Sequence, residues 1–131
     1  MPIPLRHIPV LFVASALTFG GMWANWDPHA AALEFGLPQH IADSLPAQSV
    51  MILSSGRGSA IGLAILALYF KKQYVAIDTI LISLLYVGFI DGWICWREGV
   101  PNRAIFRALS GALIAAMGWF GWTSSGAAVN A

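Results

Sequence analysis

Two ionisable residues stand inside otherwise apolar sequence: Arg57 in "MILSSGRGSAIGLAILALYF", residues 51–70, and Asp91 in "FIDGWICW", residues 89–96. In lipid, a lone guanidinium or carboxylate is costly, so such residues usually face a bundle interior, pair, and mark functional sites. A carboxylate held by an arginine in a low-dielectric setting can accept a proton from water, while a neighbouring donor polarises a substrate oxygen. The expected roles follow. Asp91 is the candidate acid/base, and Arg57 orients it and stabilises developing charge on oxygen. A structural ion pair that only locks two helices is the competing reading.

Four further residues are candidates for substrate contact. Arg107 lies near the start of the last apolar segment, on the side where Asp91 ends its own. Ser54 belongs to a set of small residues around Arg57: Ser54, Gly58 and Gly62 in one row of four-residue spacing, Ser55 and Ser59 in a second. Such rows first suggest close helix packing, and their hydroxyls can also line a pocket. His29 and Glu34 lie in the long connection after the first apolar segment. A metal site is not expected, because His7, His29 and His40 share no helix at ligand spacing and Cys95 is the single cysteine. No cofactor is expected either. Phosphate-loop, G-x-S-x-G and H-E-x-x-H signatures are lacking in the sequence.

The elements that must hold these residues are helices in a membrane. Of 131 residues, 58% are hydrophobic and 10% charged. A soluble domain carries about 25% charged residues, so a water-soluble surface cannot be built from this chain. The net charge of +1 supplies neither a nucleic-acid footprint nor a polybasic membrane patch. Spanning a bilayer takes about 20 apolar residues in a helix, and four stretches qualify, about 8–26, 47–70, 74–96 and 104–122. The first is expected to be a true span rather than a cleaved leader. Trp and Tyr mark many of their ends, as amphipathic rings do at the headgroup level. Residues 1–131 therefore read as a single transmembrane domain, an all-α four-helix bundle. The short end "TSSGAAVNA" is the one stretch that suggests a disordered tail.

Between the first two spans, "DPHAAALEFGLP" has the grammar of a short helix over about 28–35. Asp27 can cap it, Pro28 suits its first position, and Gly36 can stop it. It is expected at the membrane interface, resting on the bundle mouth like a lid. The loop "KKQ" forces an antiparallel hairpin between the second and third spans. Arg57 then lies about 11 residues, roughly 16 Å, into its helix, and Asp91 roughly 8 Å from the end of its own. Because helical side chains lean toward their N-terminus, an Arg57–Asp91 pair is expected, with Arg107 above it. Asp78, about 140° around the helix from Asp91, is expected at the surface beside Lys71 or Lys72, or as an N-terminal dipole partner. Positive charges divide evenly between the two sides. Both termini are read as cytoplasmic, with four acids on the opposite side.

With these residues in place, the chain resembles a family of small four-helix membrane proteins known as a domain of unknown function in fungi and bacteria. Pro28, Phe35, Gly36, Leu37 and Pro38 carry the first block of resemblance, Gly56 and Arg57 the second, and Asp91 in "IDGWICWREG" the third. Two positions depart from it. Gly58 stands where an acid often follows the arginine, and Arg107 or Ala108 where a histidine is usual. The resemblance implies a link to secondary metabolism and lipophilic substrates. The expected function is thus a membrane-embedded hydrolase, cyclase or isomerase acting on a polyketide or terpenoid. The alternatives are a structural or partner-binding membrane protein, then a small-molecule transporter. The expected partners are the bilayer and a lipophilic small molecule, with a homo-oligomer left open and no nucleic acid.

Overall fold

The computed structural model describes residues 3–124, so most of the polar tail lies outside the described residues. Its elements are helical throughout. A 3-10 turn, Leu5–His7, leads into α1, Ile8–Trp23. The connection that follows forms α2, Pro28–Phe35, and a single turn, α3, Gln39–Ala42. The long helices α4, Leu45–Phe70, and α5, Tyr74–Arg97, come next, and α6, Pro101–Trp119, closes the series.

The connection after α1 folds by the grammar legible in it. The Asp27 carboxylate accepts from the Ala30 N–H at 3.0 Å, and Pro28 occupies the first turn of α2. Gly36 terminates the helix at φ 118°, a left-handed conformation costly for any residue with a Cβ. The N–H of Leu37 then returns to the Ala32 carbonyl at 3.0 Å. A side chain at Gly36 would also strike Arg103 and Cys95. This glycine is needed twice over.

Two antiparallel hairpins make the body. In the first, α4 lies along α1 through small residues: Gly62 meets Ala14 and Thr18, and Gly21 meets Ser55 and Ser59. Ser59 Oγ donates to the Thr18 carbonyl at 2.9 Å, and Thr18 Oγ1 to the Ala14 carbonyl at 2.7 Å, so neither buried hydroxyl is left unsatisfied. In the second, α6 runs the length of α5. A Cβ on Gly88 would stand 2.7 Å from the Gly111 Cα, Gly92 faces Ala104 and Ala108, and Gly118 abuts the Asp78 backbone. Without lipid between them, backbones approach this closely only where side chains are missing.

Val10, Ala14, Ile65, Ile77, Leu81 and Leu84 join the two hairpins in one core near the 71–73 turn. Outside it, the surface is apolar. Phe12, Phe19, Leu53, Phe89, Leu113 and Trp119 are all more than half exposed. Helices that are apolar all round belong in a membrane. Three of them are long and apolar enough to cross one: Leu5–Trp23, Leu45–Phe70 and Tyr74–Arg97. The molecule is an all-helical membrane protein.

Candidate functional site

Bordering the core, α1 and the α5–α6 hairpin leave between them a cleft of about 430 Å³. Phe12, Val13 and Leu17 of α1 form one wall, Leu84 and Val87 of α5 another, and Leu113 and Ile114 of α6 a third. Gly88 and Gly111 are the floor, open because neither has a side chain. Three polar residues reach into this apolar space: Asp91 from α5, and Arg107 and Ser110 from α6. Asp91, Gly88 and Leu84 follow one another at helical spacing on one face of α5. Arg107, Ser110, Gly111 and Ile114 do the same on α6.

Arg107 is positioned by α2. Its Nε donates to the Phe35 carbonyl at 3.3 Å, and its guanidinium carbon lies 4.3 Å from the centre of the Phe35 ring. One turn earlier, Arg103 donates to the Glu34 carbonyl at 2.8 Å and to the Glu34 carboxylate at 3.2 Å. Two guanidinium groups thus satisfy carbonyls that the end of α2 leaves free, and oppose the negative end of its dipole. The terminal nitrogens of Arg107 make no hydrogen bond among the described residues, and Asp91 makes neither a hydrogen bond nor an ion pair there. The Asp91 carboxylate and the terminal nitrogens of Arg107 thus line the cleft with hydrogen-bonding capacity unused among the described residues.

Arg57 is elsewhere. It lies exposed on α4, without an ion pair or hydrogen bond among the described residues. The expected Arg57–Asp91 pair is not formed, and the reason is rotational. Ser59 and Gly62 pack α4 against α1, and Arg57, two residues from Ser59, points about 200° away from it. Ser54 shares the exposed side. His29 lies 2.8 Å from Asp43, which also accepts from Gln39 at 3.0 Å, while Glu34 is paired with Arg103. Neither His29 nor Glu34 lines the cleft.

Asp78 departs furthest from expectation. It is buried rather than beside Lys71 and Lys72, and it accepts from the backbone N–H groups of Thr123 at 3.1 Å and Ser124 at 2.9 Å. The turn after α6 folds back over the start of α5 and brings these donors. His7 closes the same corner, with Nε2 3.2 Å from the Thr123 carbonyl and Nδ1 2.9 Å from the Tyr69 hydroxyl. Sequence reasoning missed this cluster and Ser110. For Ser110 a signal existed, since it lies three residues beyond Arg107 on one helix face. For Asp78 none did, because its donors are main-chain atoms.

Helices with this lipid-facing surface and an apolar cleft holding a few polar groups define a helical membrane protein with a small-molecule-sized recess. The chain belongs to the family described as "Domain of unknown function (DUF4267)", whose model matches residues 14–121. No curated protein and no solved structure matches it.

Proposed function

We propose that the protein is a membrane-embedded enzyme that moves a proton on a lipophilic small molecule bound between α1, α5 and α6. The observation that carries this reading is the placement, in one apolar cleft, of Asp91 and of the terminal nitrogens of Arg107, none of which makes a hydrogen bond among the described residues. In an isomerisation or cyclisation, the Asp91 carboxylate takes a proton from carbon while Arg107 N–H groups stabilise charge developing on the substrate oxygen. The same proton then returns to another carbon in an isomerisation, or to the alkoxide formed when the carbanion closes a ring on a carbonyl in a cyclisation, and no co-reactant is consumed in either. In epoxide hydrolysis Asp91 would take the proton from water instead. Arg107 replaces Arg57 as the oxygen-stabilising donor.

Four spans support this reading better than three. Because α6 lies against α5 from Ala104 to Gly118, it shares the depth of a spanning helix. α2 would then sit at the membrane interface above the Arg107 end of the cleft, with the residues before α1 and after α6 in the cytoplasm. The polyketide or terpenoid class rests on family resemblance alone.

The test is an untargeted comparison of lipophilic metabolites in cells carrying the wild type, Asp91→Asn, Arg107→Gln or no gene. A product present with wild type and lost in both variants, at equal membrane abundance, is the expected result. Metabolite profiles unchanged in Asp91→Asn would sink the proposal. One observation favours a second, non-catalytic reading, partner binding: Arg57, on the exposed face of an apolar helix, has no ion pair among the described residues.

A further inference from the structure

We infer that the cleft selects lipophiles whose polar end is uncharged and both donates and accepts a hydrogen bond, such as an alcohol, an enol or a hydroxyketone. Fatty-acid carboxylates and amines would be refused. This rests on the reading of the cleft as a binding site and adds the chemistry of what it takes.

The warrant is charge balance. Asp91 and Arg107 are the ionisable residues among those that line the cleft, and their formal charges cancel. They do not consume one another: no ion pair or hydrogen bond joins them among the described residues. A hydroxyl placed between them satisfies both, its oxygen accepting from a terminal nitrogen of Arg107 and its hydrogen going to Asp91. Ser110, which both donates and accepts, can serve a second oxygen.

A charged ligand cannot do the same. A carboxylate that pairs with Arg107 brings a second anion beside Asp91 in a cleft walled by Phe, Leu, Val and Ile. An ammonium on Asp91 leaves the arginine opposed. In apolar surroundings each arrangement leaves one charge uncompensated, which costs far more than a neutral group does. Nor can Arg107 withdraw, since its Nε and its guanidinium face are held by Phe35. The fixed cation and the carboxylate that shares the cleft with it therefore set the charge of the guest.

The experiment uses the full chain in phosphatidylcholine vesicles and two photoreactive probes of equal length: a diazirine-bearing long-chain alcohol and the matching fatty acid. Labelled residues are mapped by mass spectrometry. Wild type should be labelled on cleft residues such as Val87 and Leu113 by the alcohol, and about tenfold less by the acid, the equivalent of ~1.4 kcal/mol. Asp91→Asn, nearly isosteric, leaves Arg107 unbalanced and should invert the preference. Ala16→Trp, which fills the cleft from an exposed position on α1, should abolish labelling by both. Equal or stronger labelling of wild type by the acid overturns the inference while leaving the cleft a binding site. Labelling of cleft residues by neither probe overturns both the inference and the reading on which it rests.

Discussion

Asp78 is buried and holds two backbone N–H groups, whereas Arg57 is exposed on α4 and holds nothing among the described residues. Their substitutions should differ accordingly. Asp78→Ala strands two donors in a closed corner, and an orphaned buried donor costs about 1–3 kcal/mol. It should lower stability by at least that much, read as unfolding in detergent followed by circular dichroism. Arg57→Leu removes no hydrogen bond or ion pair among the described residues, and substitutions away from packing and polar networks stay within about 0.5 kcal/mol. A loss of stability comparable to that of Asp78→Ala would show that Arg57 has a structural partner. At this scale the sequence was legible in part. Asp91 stood out because a carboxylate in an apolar run must face something polar. Its companion reads as Arg57 in the sequence, whereas Arg107 shares the cleft with it, because depth along a helix says nothing of rotation about its axis.

Rotation is decided by glycine and serine contacts between elements. On α4 the rows Ser54–Gly58–Gly62 and Ser55–Ser59 lie about 100° apart, and both read equally well as a seam. The structure seats Ser55, Ser59 and Gly62 on α1 and turns the other side outward. Nothing within one helix could have settled that choice, which depends on the complementary gaps at Ala14, Thr18 and Gly21. The seam between α5 and α6 was easier to see, since Gly88, Gly92, Gly111 and Ala115 repeat at four-residue spacing. Gly111→Leu should therefore wedge α5 from α6, at the 1–3 kcal/mol typical of overpacking, and narrow the cleft floor as well. Gly56→Leu is the control, because a Cβ there meets nothing within 4 Å. Thermal unfolding should separate the two variants, and equal midpoints would contradict the packing described.

Over the whole molecule, the number of spans decides which sides the two ends of the bundle occupy. With α6 across the bilayer, reporters fused before α1 and after α6 fall on the same side; with three spans they fall on opposite sides. The same side is expected, and a split result would place α6 outside the hydrocarbon. That α6 is less apolar than its neighbours has a local cause, since Arg103 and Arg107 cap α2 from its first turns. The long helices, their order and the short helix α2 were readable from apolar length, capping residues and turns, whereas the single turn α3 and the 3-10 turn before α1 were not. The corner that ties His7, Asp78 and Thr123 was not, because its span of 116 residues from His7 to Thr123 leaves no local pattern. That corner also orders events in time. Asp78 leaves the ribosome 45 residues before the backbone groups that will satisfy it. Throughout that interval the carboxylate lacks the two backbone donors that satisfy it in the finished fold. The corner can therefore close only after the turn that follows α6 has been made, which puts its assembly last in the order of synthesis.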